Sequence, residues 1–217
     1  MSTRRDIEEL IARSKIALSN AQTEADLQAA LSPFGYDTAR VQEGLDLVEN
    51  AREQYEQQQT EYAEQYQATT DLQEAVASAR ATYMRHLKLA RVAFKPGTMG
   101  YKKLGLAGER RRDIPGFMAE ARQFYRVLNE DDALLQAMSG FNVDQGAVDQ
   151  ATEALFNVET AQAAQVKETG EAQVATQERD DAAAALRGFM SDFYRVAEVA
   201  TEDQPQLREK LGMLERS

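Results

Sequence analysis

At 217 residues, 43% hydrophobic and 28% charged with a formal charge of −11, the chain is long enough for one large or two small domains. Its acidity argues against general affinity for nucleic acid or anionic lipid. It has no cysteine, which rules out disulfide frameworks and thiol chemistry.

No apolar run approaches the roughly 20 residues that a membrane span needs. The opening MSTRRDIEELIARS lacks the apolar stretch of a secretory signal, so a cytoplasmic protein is expected. Four Pro, 12 Gly and no Trp, with abundant Ala, Gln and Glu, favour helix over strand, and the predicted fold class is all-α.

In chain order, Asp6 is an N-cap candidate with Glu9 three residues on, and opens a predicted helix over about 7–20. A short helix at about 24–31 leads into the loop SPFGY. Asp37 then caps a long segment with no Gly or Pro from Leu45 to Lys95, which Lys95-Pro96-Gly97 stops. A short helix ends near Gly105. The same order then recurs. Asp113 opens a helix over about 114–129, followed by one at about 131–138, and the loop SGFNV leads to Asp144. A second long segment is stopped by Thr201 to Pro205, and a last short helix ends near Gly212.

The recurrence has a register. A shift of 107 residues lays RRDI at 4–7 on RRDI at 111–114, SPFGYD on SGFNVD, and KLGL at 103–106 on KLGM at 210–213, with 26 identities over 110 aligned pairs. Two copies are expected, 1–107 and 108–217, and an internal repeat bears on the fold more than any single motif.

The long segment keeps one heptad phase through Val41, Val48, Tyr55, Tyr62, Thr69, Val76, Tyr83 and Ala90. A continuous helix must preserve that phase and a hairpin has no reason to. One helix over about 38–94, ~85 Å long at ~1.5 Å per residue, is therefore expected. A chain reversal at 67–71, giving two tandem four-helix bundles, is the alternative. Two such helices would run antiparallel with short-helix clusters at both ends. One lobe would then carry about −5, the other about +3, and the stalk segments about −9.

Chemistry is sparse. Glu61 and Glu64, matched by Glu168 and Glu171, lie three apart on one helix face, and antiparallel packing would let four carboxylates converge. Di-iron sites between helices use Glu-x-x-His, which this chain lacks, so a hard cation on oxygen ligands is the metal-binding alternative, against a plain solvated face. The single histidine, His86, stands where the other copy has Phe193 and is expected to be a packing residue. Tyr55, Tyr62 and Tyr66 are expected in the helix seam. No nucleophile elbow, phosphate loop or zinc spacing occurs; no catalytic residue, cofactor or enzymatic activity is expected.

Residues 80–112 hold ten Lys or Arg against Glu109. Arg85, Lys88, Arg91, Lys95, Lys102, Lys103, Arg110, Arg111 and Arg112 form a candidate basic surface. Four of its positions change sign in the other copy: Arg85 to Asp192, Arg91 to Glu198, Lys95 to Glu202 and Lys102 to Glu209. The expected function is a non-enzymatic helical scaffold or interaction protein, with a protein partner or self-association through complementary charge. An anion or nucleic-acid binder using the basic region is a further alternative.

Overall fold

The computed structural model describes residues 4–213 of the chain, and every element among them is helical. Helix α1 spans Arg4–Thr23 and α2 Ala25–Leu31, followed by a 3₁₀ turn at Ser32–Phe34; α3 spans Thr38–Ala93 and α4 Met99–Lys103. Then come α5 at Ile114–Glu130, α6 at Asp132–Ser139, α7 at Gln145–Ala200 and α8 at Pro205–Lys210. The bounds of α3 and α7, 56 residues each, differ by 107 at both ends.

The starts and stops follow local chemistry. Asp37 Oδ1 accepts from the Arg40 amide at 2.9 Å, and Asp144 Oδ1 from the Ala147 amide at 2.9 Å, satisfying donors that a helix start leaves open. Asp113 does the same for Gly116 at 2.8 Å. The loops before the long helices need one left-handed residue, filled by Gly35 at φ 86° and by Asn142 at φ 58°, residue types that tolerate it. Asp6 departs from expectation: α1 already includes Arg4 and Arg5, so Asp6 sits inside its first turn, where a negative charge suits the helix dipole, and does not cap it.

Both long helices run unbroken through their midpoints, with Thr69 inside α3 and Thr176 inside α7, so the chain does not reverse at 67–71. The seam residues do need one correction. Positions 41, 48, 83 and 90 are buried as the heptad predicts, but Tyr62 is 49% and Tyr66 74% exposed, while Ala68 is buried and Glu61 half-buried. The middle of α3 buries Gln58 and Ala68 in place of the tyrosines.

The chain divides into two compact units. The first contains residues 1–63 and 170–217, the second 64–169. The first therefore holds the start of α3 and the end of α7, the second the end of α3 and the start of α7. In the first unit, Leu18, Leu27, Leu31, Tyr36, Val41 and Val48 pack with Leu186, Phe189, Met190, Phe193, Leu207 and Leu211. In the second, Tyr83, Leu87, Leu104 and Leu106 pack with Phe117, Phe124, Tyr125, Leu128, Met138, Val148 and Leu155. The apolar stripes of the amphipathic short helices close both cores.

Candidate functional site

Of the expected carboxylates, Glu61 and Glu168 are half-buried and Glu64 and Glu171 are exposed. In the first unit, Glu61 on α3 and Glu171 on α7 bring carboxylate oxygens within 4.8 Å of each other. Glu61 Oε1 accepts from the Gln57 amide at 2.5 Å, whereas its Oε2 is buried with no hydrogen-bond partner. In the second unit, Glu64 and Glu168 line one shallow groove with Gln67, Ala68 and Asp71. Lys167 lies 3.1 Å from Glu168 Oε1, and again Oε2 is buried without a partner. Each unit thus holds two of the four carboxylates, and those of one unit stand 107 positions from those of the other. A buried carboxylate oxygen without a donor is costly, and proteins ordinarily satisfy such groups.

The basic region separates into two sets of residues. The connection between α4 and α5 carries backbone carbonyls outside regular structure, and arginines from three places satisfy them. Arg91 donates to the carbonyls of Leu106 and Gly108 at 3.0 Å each. Arg80 donates to those of Arg111 and Arg112 at 3.4 and 2.9 Å, and its guanidinium sits 4.7 Å from the Phe117 ring centroid. Arg110 reaches Gly105 O at 3.1 Å, Ala107 O, and Tyr83 Oη at 3.3 Å. Lys103 pairs with Asp131 at 2.8 Å, and Arg111 with Asp113 at 3.0 Å. The Lys103 ammonium and then the Leu134 amide hold the Asp131 carboxyl below its ordinary range. Arg85, Lys88, Lys95, Lys102 and Arg112 are exposed and make no ion pair with any described residue. Sequence spacing did not reveal this division, because a carbonyl acceptor leaves no side-chain signature.

The basic-region positions whose charge reverses 107 residues on are exposed, and so are their acidic counterparts: Arg85, Arg91, Lys95 and Lys102 in the second unit, Asp192, Glu198, Glu202 and Glu209 in the first. Twelve basic against 22 acidic residues leave the first unit at −10, and 13 against 14 leave the second at −1.

His86 is buried at 7% exposure, as a packing residue should be, but it also has a polar partner that spacing did not indicate. A 3.0 Å hydrogen bond joins its Nδ1 to Tyr125 Oη on α5, and the two rings meet edge to face. Burial, and then the Arg85 charge, push the imidazole below its ordinary value of 6.5, while burial pushes the Tyr125 phenol far above 10. Both groups are therefore neutral near pH 7. No family model matches the chain, and no match is found among curated proteins or solved structures.

Proposed function

We propose that this chain is a non-enzymatic helical interaction protein, an internally duplicated scaffold that self-associates by setting the basic face of one molecule's second unit against the acidic face of another's first unit. The observation that carries this reading is the exposure of the four basic-region residues Arg85, Arg91, Lys95 and Lys102 and of the four acids that stand 107 positions further on. A contact between unlike faces is heterologous and builds chains or rings, not closed two-fold dimers. Exposed charges of this kind set encounter rate and partner choice, and salt screens them beyond a Debye length of about 8 Å.

Sedimentation at low and high salt tests the proposal. Larger species are expected at low salt and should shrink as salt rises. Arg85, Lys95 and Lys102 all changed to Glu should abolish them. Adding Asp192, Glu202 and Glu209 changed to Lys should restore them. Arg91 is left out because it also holds the Leu106 and Gly108 carbonyls. A single monomer in both salts at high concentration would overturn the reading.

A second reading, cation binding by the carboxylate pairs Glu61 with Glu171 and Glu64 with Glu168, is supported by the unpartnered buried oxygens of Glu61 and Glu168. A hard cation would take such oxygens and complete its shell with water. Elemental analysis of protein grown with abundant metal tests it: bound divalent ion should vanish when Glu61 and Glu168 are both changed to Gln, with helicity kept. Metal-free native protein would sink it.

A further inference from the structure

Positions 107 apart place two loop–helix corners in comparison, and they differ in what fills them. In the first unit Tyr36 packs edge to face on Phe189 and Phe193, at centroid distances of 5.9 and 5.4 Å, and the Arg40 guanidinium lies 5.2 Å from the Phe189 centroid. At the matching positions the second unit has Val143, Thr82, His86 and Ala147. The bulk of two large rings and one guanidinium is missing, and a cavity of about 450 Å³ opens among Thr82, Arg85, His86, Asn142, Ala147 and Gln150. That volume lies within the range of small-molecule sites.

The chemistry of its wall is one-sided. No Asp or Glu lines the cavity, and its only full charge is Arg85, which makes no hydrogen bond or ion pair with a described residue. Ser78, Thr82, Asn142 and Gln150 add hydroxyl and amide groups that also have no hydrogen-bond partner on their side chains among the described residues. The Asn142 backbone amide donates to Ser139 O at 3.1 Å, and His86 is held by Tyr125. A larger groove of about 600 Å³ between α5 and α7 differs: Arg122 pairs there with Glu159, and Arg126 with Glu130, so its charges are mutually satisfied.

We propose that the cavity of the second unit binds a small oxyanion through a carboxylate or phosphate group. Arg85 supplies the charge and Thr82, Asn142 and Gln150 supply neutral hydrogen bonds. A guanidinium presents a planar fork of donors that matches either group two bonds at a time. The corresponding corner of the first unit is unsuited to this ligand twice over, since aromatic rings fill it and Asp192 replaces the arginine.

His86 is the only histidine, so its ring-proton signals in the full chain report on this cavity without ambiguity. The protein is titrated at about pH 7.5, where a histidine of depressed pKa stays neutral, with inorganic phosphate and separately with succinate. Sodium chloride at matched ionic strength is the control. Saturable shifts of the His86 signals are expected with at least one probe, and the probe that saturates assigns the source as phosphate or carboxylate. Arg85→Gln, an exposed change, should weaken that binding by at least about ten-fold, and Gln150→Ala should weaken it less. Shifts no larger than those in sodium chloride with both probes would overturn the proposal. So would an Arg85→Gln protein that titrates like the native chain.

Discussion

The two units differ in where their aromatic rings gather. In the second unit the rings gather toward the leading helix, where Tyr83 meets Phe117, Phe124 and Tyr125 at centroid distances of 5.9, 5.6 and 6.3 Å. The matching positions of the first unit are Met190, Leu10, Ala17 and Leu18, and its rings sit instead at the loop, as Tyr36, Phe189 and Phe193. A core needs a given volume filled and is indifferent to which facing element supplies it, provided no void or overlap results. The second unit fills the helix side and leaves the loop side open, which is where its polar cavity lies.

That exchange can be broken from either direction. The largest effect is expected from Phe124→Ala, which installs the residue the first unit has at the matching position, Ala17. Phe124 is fully buried among Tyr83 and Tyr125, so the change should cost about 3–5 kcal/mol by urea denaturation. A loss below about 1 kcal/mol would mean that the second core repacks as the first is packed.

A smaller loss is expected at Gly44. A Cβ there would stand 2.4 Å from the Phe189 ring and 2.9 Å from Leu18, whereas the positions 107 from Gly44 and Phe189 are Ala151 and Thr82. Gly44→Ala should destabilise the protein by about 1–2 kcal/mol net, the overlap outweighing the helix preference for Ala. In a Phe189→Thr background the same change should turn neutral or stabilising.

The smallest effect concerns His86. Its folded pKa lies below the unfolded value of 6.5, because of burial and then Arg85, so the unfolded chain binds the proton more readily. The His86 contribution is therefore fully present above pH 6.5 and is lost as pH falls from there toward the folded value. His86→Phe, matching Phe193, should flatten the stability profile between about pH 7.5 and 5.5 relative to the native protein. Identical slopes for the two proteins would show that His86 does not titrate differently on folding.

Much of this architecture was written in local signals. Asp37, Asp113 and Asp144 cap helices because a carboxylate placed just before a helical run meets open amides regardless of what lies elsewhere. Pro96-Gly97 ends α3 because proline cannot continue a helix. The unbroken heptad between Val41 and Ala90 required one helix, and α3 is one helix.

Tertiary structure decided the rest. Tyr62 and Tyr66 are exposed while Gln58 and Ala68 are buried, because which turns of a long helix are covered depends on what packs beside each, which a heptad count ignores. Arg80, Arg91 and Arg110 became clamps on the connection between α4 and α5 because its carbonyls, which look alike in every sequence, had to be satisfied. His86 found Tyr125 at a sequence separation of 39, and Thr82 and Ala147 open a cavity only because they face each other in the folded unit. Helix starts and stops depend on neighbours a few residues away and were therefore legible. Bonds to backbone carbonyls and the shape of unfilled volume depend on what the fold brings alongside, and only packing could settle them.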